Sequence, residues 1–351
     1  MSKATIKVEG KNYEGWKRTT ITRSIEQISS VFNFDFTDSW TPGREPWGIN
    51  PQDAVSIAIN GTSLIKGSVD ILRAQLRSER TYTAQGRDAS ADLVDCSAVV
   101  KQYKNLSLLD LCNELSSVVG VSFALANPTV NNKRFLTFSI NPGEKIFEAI
   151  ERAVRQRGVL CVPDGSGGVF LTTAGLTPAV GSLLEGENCK AVEYSLDYSE
   201  RYSDYTVLGQ KASEAGWEAA TGAAKGTSKD AGVKRKRPLI LQAEQTIDSA
   251  EAQVRAAWEA NVRAARSTSV SVETYSWFQA PGLIWQLNQT VNLKAPRLGI
   301  GGNFLICDIT YKQDEQGGTT TEMKLVPPDA FKPDPSVKKK KSDQVAKGWS
   351  F

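Results

Sequence analysis

The chain has 351 residues, with 42 Lys and Arg against 39 Asp and Glu, five Cys and no His. The absence of His excludes an imidazole base, a Ser-His-Asp or Cys-His relay and a His-ligated metal. The formal charge of +3 lies in the last 25 residues, since residues 1–326 hold 36 basic and 36 acidic side chains. A neutral body lacks the basic face expected of a general nucleic-acid binder.

The length and the cysteine pattern further limit the classes of protein to which the chain can belong. Single cores divide beyond roughly 250–300 residues, so we expect more than one domain. The five dispersed Cys form no C-x-x-C pair and predict reduced, buried thiols in a chain made in a cytoplasm. No signal-like segment begins the chain and no run reaches the roughly 20 apolar residues of a membrane span. We therefore expect neither an export signal nor a membrane anchor.

The first hundred residues have the pattern of β-strands. Phe32, Phe34 and Phe36 alternate with polar residues, which places three aromatic rings on one face of a strand. A second alternating run ends at Asn60-Gly61, a pair that favours the positive φ angles of a tight hairpin turn. Short strands at this spacing predict an antiparallel β-barrel or sandwich. We assign a β-barrel domain to 1–99.

Helical spacing begins after this domain. Apolar residues between 108 and 119 recur at helical intervals behind a Ser107-x-x-Asp110 start signal. A second helix is predicted to end at Gly158, and strands follow it. These elements predict a small α+β domain over 100–182.

Strand-like sequence returns in the second half of the chain. We assign 183–208 and 265–328 to a second β-barrel domain, 209–264 to an inserted mobile loop plus helix, and 329–351 to a Pro- and Lys-rich tail without a fold of its own. The predicted fold class is therefore mainly β with α+β. It comprises two antiparallel β-barrel domains, a small α+β domain between them, and one long helix inserted in the second barrel region.

The inserted segment divides into two parts. Residues 209–237 are rich in Gly, Ala, Ser, Thr and Lys, a composition that buries little apolar area and predicts a mobile loop. Asp248 and Glu251 then form a capping box that predicts the start of the long helix. Its apolar stripe is predicted to contain Ile247, Val254, Trp258 and Val262.

No motif predicts a catalytic, cofactor-binding or metal-binding residue. The glycine runs 165–168 and 299–302 do not open a helix after a strand, as a phosphate-binding loop requires, and are interpreted as turns. Paired carboxylates of a glycosidase are not excluded by spacing. The acidic side chains near the start of the second barrel domain, Glu187, Asp197, Glu200 and Asp204, are nevertheless interpreted as surface charges or interface partners.

The tail contains the strongest local charge. A lysine run and two aromatic residues there are candidate partner contacts, namely Lys338, Lys339, Lys340, Lys341, Trp349 and Phe351. Such a run binds nucleic acid or an acidic protein, or it stays solvated and keeps the protein soluble. We favour the solvated interpretation, because no aromatic residues interleave with the lysines.

Several segments carry a resemblance to a known family. They are 15–16 (GW) with 21–26 (ITRSIE), 86–96 (GRDASADLVDC), 155–160 (RQRGVL), and 186–188 (GEN) with 201–207 (RYSDYTV). In this order they resemble the baseplate hub proteins of Mu-type contractile-tail phages. The similarity covers most of 1–326 and leaves out 209–237 and the lysine tail.

The resemblance implies a structural, non-enzymatic protein without cofactors. It implies a homotrimer with two β-barrel domains per chain, which joins a six-fold tail-tube protein to a three-fold central spike protein. Tape-measure protein and DNA would pass through the lumen. The protein would be made and assembled in the bacterial host cytoplasm and would end in the virion tail baseplate.

Alternatives stay open at this point. The hub of a tailocin or of a contractile secretion device would have a similar sequence. A cell-wall glycan hydrolase or a nucleic-acid-binding module that uses the lysine tail represents another class of function. Within 86–96 we expect Arg87, Asp88, Asp92 and Asp95 to have structural roles, with Asp92 and Asp95 accepting from backbone donors and Arg87 pairing with one of them.

Overall fold

A computed structural model describes residues 4–13, 16–37, 48–76, 80–175, 177–210, 221–243, 248–314 and 317–333. The first region holds β1 (Ala4–Val8), β2 (Lys11–Tyr13), β3 (Trp16–Ser24), β4 (Val31–Thr37), β5 (Ala54–Ile59), β6 (Thr62–Leu76) and β7 (Arg80–Asp88). The second holds α1 (Ala91–Asp95), β8 (Gln102–Leu106), α2 (Leu108–Ser116), β9 (Phe123–Leu125), β10 (Phe135–Ser139), α3 (Ile146–Arg155), β11 (Leu160–Pro163) and β12 (Val169–Thr172).

The remaining elements complete a mainly β protein. They are β13 (Thr177–Pro178), β14 (Leu183–Leu184), β15 (Cys189–Leu196), β16 (Asp204–Gln210), β17 (Thr221–Lys229), β18 (Pro238–Gln242), α4 (Ser249–Arg266), β19 (Thr268–Thr274), β20 (Phe278–Ala280), β21 (Leu283–Ile284), β22 (Gln289–Ala295), β23 (Ile300–Asp314) and β24 (Gly318–Val326). Short 3-10 helices occupy Ser117–Val119, Pro296–Leu298 and Pro328–Phe331.

One large sheet joins the two regions that the sequence predicts as separate barrels. Its strands follow the order β15-β19-β24-β23-β3-β4-β7-β6-β5-β1-β2, and β22 pairs with β23, β13 and β14 beside this path. The junction is the antiparallel pair β3–β23, in which Ile21 lies opposite Tyr311. The two regions therefore share backbone hydrogen bonds and a common core. Closure of each region into a barrel stays a prediction, because the described pairs form an open path.

The alternating pattern of the first region is confirmed. Phe32, Phe34 and Phe36 of β4 are buried in the core that both regions share. Asn60 and Gly61 have φ angles of 48° and 78° and form the tight turn between β5 and β6. Hydrophobic burial on one face and turn chemistry together determine the register of this hairpin.

The α+β region has a core of its own. α2 begins after Ser107, whose hydroxyl accepts from the backbone N–H of Asp110 at 3.2 Å, as the start signal predicts. α2 and α3 pack together over β8–β10 and the β9–β12–β11 sheet. This region is connected to the large sheet at α1, directly after β7.

The segment predicted as a mobile loop contains strands of a separate sheet. β16 pairs antiparallel with β17 and parallel with β18, and α4 packs on the three strands. The loop prediction for 209–237 is therefore wrong over 221–229, because the small residues there permit close helix–sheet packing rather than disorder. The assignment of β16 to the second barrel is also wrong, since its hydrogen bonds lie within this sheet.

The long helix begins where the sequence predicts and buries a different face. Asp248 accepts from the N–H of Glu251 at 2.7 Å and completes the capping box. The predicted apolar stripe is wrong at Val254, which is 52% exposed, whereas Ala252 and Ala256 are fully buried. Alanines occupy this face because the helix axis lies close to β17.

The first residues of the predicted tail belong to the folded body. Ala330 is buried, and its carbonyl accepts from Nε of Arg266 at 3.1 Å. Nε1 of Trp258 donates to the carbonyl of Lys332 at 2.9 Å. The prediction that 329–351 lacks fold is therefore wrong for 329–333, where α4 side chains hold the backbone. None of the helices in the described ranges is both long and apolar enough to cross a membrane.

Candidate functional site

The turn after β7 is built around the buried carboxylate of Asp88. This side chain accepts from the backbone N–H of Ser30 at 2.9 Å and of Ser90 at 3.1 Å, and from the Ser90 hydroxyl. It thereby ties the β3–β4 connection to the start of α1. The carboxylate that satisfies backbone donors is thus Asp88, whereas the sequence assigns this role to Asp92 and Asp95.

Arg87 joins the large sheet to the α+β region. Its guanidinium lies 2.8 Å from Asp70 of β6 and 2.7 Å from Asp95 at the end of α1. The two carboxylates raise the pKa of Arg87, and Arg87 in turn lowers the pKa of Asp95. Asp92 lies exposed in the first turn of α1. These ion pairs connect β6 of the large sheet with the end of α1.

Among the described strands, β15 has no neighbour on its outer side, and its apolar side chains are partly exposed. Tyr194 of β15 lies opposite Val270, a fully buried core residue, and therefore points to the core side of the sheet. Tyr194 and Leu196 are nevertheless 38% and 52% exposed. An edge strand with free backbone groups and exposed core-side residues is a template for pairing with another chain. The sequence predicts this strand but not its edge position, which depends on tertiary pairing.

The outer half of β6 is a second such edge. β6 pairs with β5 only over 62–68, while its pairs with β7 extend to Leu76. Beyond Val69, residues 70–76 have no strand on their other side in the part of the chain that the structure describes. Leu76 is 76% exposed. In the described residues this edge and the β15 edge are of similar length, while the sheet path continues from the first half of β6 through β5 and β1 to β2.

Eight strands separate these two edges. The path β15-β19-β24-β23-β3-β4-β7-β6 is antiparallel at each of its pairs. With an even number of alternating strands, β15 and β6 run in opposite directions. A β6 edge therefore meets the β15 edge of an identically oriented second copy in antiparallel pairing.

The described residues also form a cleft of about 470 Å³ beside α4, lined by Asp197, Glu200, Glu259 and Arg263 among others. Glu259 is held between Arg255 at 2.8 Å and Arg263 at 3.1 Å, and Arg263 also contacts Glu200 at 3.2 Å. The N–H of Ser199 lowers the pKa of Asp197. A glycosidase acid requires a raised pKa, so the lowered pKa of Asp197 does not fit that role.

The thiols are free and mostly buried. Burial raises the pKa of Cys161 to about 12 and that of Cys189 to about 11, which keeps both protonated and poorly nucleophilic. No group of three or more Cys, Asp or Glu within the described ranges is arranged to hold a metal ion. The candidate partner contacts Lys338 to Lys341, Trp349 and Phe351 lie outside the described residues.

Comparison with known families accounts for most of the chain. Residues 3–88 match the N-terminal domain of Mu phage baseplate assembly protein GpP-like proteins, and residues 90–173 match the second domain of gp44-like baseplate hub proteins. Residues 201–257 match the third domain of NMB1110-like tail proteins. Residues 248–334 match the fourth domain of the Mu phage baseplate assembly protein GpP.

Whole-chain relatives agree with these domain matches. The 43 kDa tail protein of prophage MuSo2 from Shewanella oneidensis has a similar structure, with a TM-score of 0.81, 27% identity, and coverage of 94% of this chain and 99% of that one. The tail protein from Neisseria meningitidis MC58 has the same fold, with a TM-score of 0.79, 20% identity, and coverage of 95% and 98%. Baseplate hub protein gp44 of Escherichia phage Mu is 30% identical over 93% of this chain and 88% of its own length. The chain therefore belongs to the family of Mu-type phage baseplate hub proteins.

Proposed function

We propose that the protein is a structural, non-enzymatic hub that assembles as a homotrimeric ring between the six-fold tail tube and the three-fold central spike. The observation that supports the ring is the eight-stranded antiparallel path from β15 to β6. In the described residues its outer sides are unpaired along β15 and along 70–76 of β6, and these two strands run in opposite directions. Each edge leaves core-side apolar residues uncovered, Leu196 on β15 and Leu76 on β6.

The ring would close through one repeated contact. The β6 edge of each copy pairs with the β15 edge of the next, which is a heterologous interface that closes under cyclic symmetry. Strand pairing satisfies the free backbone groups, and burial of Leu76, Tyr194 and Leu196 contributes hydrophobic stabilisation. Family membership supports a baseplate position.

The remaining features take supporting roles in this proposal. Arg87, Asp88 and Asp95 connect the large sheet with α1, while Asp92 stays at the surface. The lysine run Lys338 to Lys341, with Trp349 and Phe351, supplies either a solvated tail or a contact with another tail component. Tape-measure protein and DNA pass through the lumen, and assembly takes place in the bacterial host cytoplasm. A tailocin hub would use the same ring.

Light scattering and particle images test the ring directly. We expect the purified chain, alone or with the tail-tube protein of the same particle, to have the mass of three copies and to form rings. The mass of one copy at high concentration in the presence of the tube protein would contradict the proposal. Turnover of peptidoglycan by the protein would instead support a glycan hydrolase.

A further inference from the structure

The eight-stranded path has one apolar face and one polar face. The apolar face packs against residues of β1, β5 and β22, together with Trp277 and Trp285, in the shared core. The shared core therefore lies on the apolar side of the sheet. If the edges close as proposed above, the polar face becomes the inner wall of the ring.

This polar face consists of short hydroxyl side chains and charged side chains. Cross-strand register places them in rows across the sheet, as in the row that joins Glu273, Glu322, Thr310 and Thr22. A neighbouring row joins Ser271, Lys324, Asp308 and Ser24. Large apolar residues are rare in these rows, so the face is suited to contact with water.

The charges of the face are compensated in place. Glu273 lies directly opposite Glu322, a like-charge pair that would repel without compensation. Nζ of Lys190 lies 2.9 Å from Glu273, and Lys312 forms an ion pair with Glu322. Lys190 lowers the pKa of Glu273. The carboxylate therefore stays charged and keeps its ion pair with Lys190.

The same compensation occurs elsewhere on the face. Lys324 lies between Asp308 at 3.6 Å and Glu26 at 3.3 Å. Arg18 is placed by register between Asp314 and Asp35. Lys190, Lys312, Lys324 and Arg18 are thus interleaved with carboxylates, whereas the sequence of the tail places four lysines in succession at 338–341.

The diameter of the proposed ring brings its contents close enough to the wall for uncompensated charges to act on them. Three copies contribute about 24 strands, and a spacing of about 4.8 Å gives a circle at least roughly 37 Å across at the backbone. A double helix inside it runs within about one Debye length, ~8 Å, of the wall side chains. Unpaired lysines at that distance would hold the phosphates, since each neutralised phosphate adds to affinity by releasing counterions.

We propose that this face is a charge-compensated conduit wall, in which carboxylates occupy the lysines so that a polyphosphate chain passes without being retained. The inference rests on the proposed ring. Its ligand class is double-stranded nucleic acid, and the function of Glu273 and Glu322 is to prevent binding.

The double variant Glu273→Gln and Glu322→Gln tests the wall. It frees Lys190 and Lys312, hence about six lysines per ring, and we expect it to bind a short DNA duplex at low salt. Its affinity should fall about 10³-fold between 50 and 200 mM salt. The unchanged protein should show no such binding in the same titration.

The matched control removes two carboxylates from ion pairs away from the wall. Glu114→Gln with Asp329→Asn frees Lys101 and Lys332, which are paired at 2.9 Å and 2.6 Å, and changes the net charge equally. The proposal of a charge-compensated wall would be contradicted if both double variants bind the DNA duplex, if neither binds it, or if the unchanged protein binds it. Light scattering on the same samples separates the two proposals, because the mass of one copy overturns the ring itself, and the wall with it.

Discussion

Gly226 of β17 lies directly against the backbone of Ala252 in α4. A Cβ at position 226 would fall 2.1 Å from the carbonyl carbon of Ala252, a separation that no packed pair of carbon atoms tolerates. Gly226→Ala therefore forces α4 away from the sheet. We expect a loss of about 1–3 kcal/mol in the free energy of unfolding, measured by denaturant titration followed by circular dichroism.

Gly301 provides the matched control. A Cβ there has only the carbonyl oxygen of Leu293 within 4 Å, at an ordinary contact distance of 3.5 Å. Gly301→Ala should change the stability by less than about 0.5 kcal/mol. Equal effects of the two substitutions would mean that helix packing on β17 is not the cause.

This contact explains why the loop prediction is wrong over 221–229. Gly and Ala are typical of flexible segments and also of positions where a helix lies close to a strand, and composition does not distinguish the two. The distinction depends on Ala252 and Ala256, which lie outside the segment. The spacing of Val254, Trp258 and Val262 predicts the helix, whereas its buried face depends on the partner.

In the large sheet, too, local sequence patterns predict single strands and turns, whereas the pairing of strands far apart in the sequence is not encoded locally. Alternation of Phe32, Phe34 and Phe36 predicts a strand with one buried face, and the Asn60-Gly61 turn predicts its neighbour hairpin. The β3–β23 pair joins residues about 290 positions apart, for example Thr22 and Thr310. No local pattern encodes such a pairing, so the exposed edges could not be predicted from the sequence.

A second prediction concerns the buried carboxylate of Asp88, which is 3% exposed. Asp88→Ala leaves the N–H groups of Ser30 and Ser90 without their acceptor, and buried unsatisfied donors cost about 1–3 kcal/mol each. We expect a loss of several kcal/mol, read from urea unfolding. Asp92→Ala is the control, since this carboxylate is exposed in α1, and it should change the stability by less than about 0.5 kcal/mol.

A third prediction concerns pH. Arg201 and Asp230 form a two-pronged ion pair at 2.5 and 2.9 Å, with side chains only 13% and 10% exposed. Arg201 lowers the pKa of Asp230 below its ordinary value of about 3.9. A lowered folded-state pKa stabilises the fold above the unfolded pKa, and this contribution is lost as the pH falls through the folded value.

Asp230→Asn should therefore cost about 1–3 kcal/mol at pH 7. The difference from the unchanged protein should narrow as the pH falls below about 4. Thermal unfolding at a series of pH values measures it. Glu114→Gln removes an exposed ion pair with Lys101, which solvent screens, and should leave the stability nearly unchanged across the same pH range. A difference for Asp230→Asn that stays constant down to pH 2 would show that the ion pair is not its source.

The last prediction tests the contact that closes the ring. Leu196→Glu on β15 and Leu76→Glu on β6 each place a carboxylate at a proposed subunit edge. Either variant alone should have the mass of one copy, because each repeated contact needs both edges. Leu136→Glu on β10 is the control: Leu136 is 87% exposed in the α+β region, and its substitution should leave the trimer intact.

Mixing the two edge variants gives the sharper result. The Leu196→Glu chain keeps a β6 edge, and the Leu76→Glu chain keeps a β15 edge, so one intact contact joins one copy of each. The mixture should therefore have the mass of two copies and stop there, because both remaining edges are blocked. An interface that used one edge on both subunits would give no such pair. Trimers in the mixture, or in either variant alone, would place the subunit contact elsewhere on the molecule.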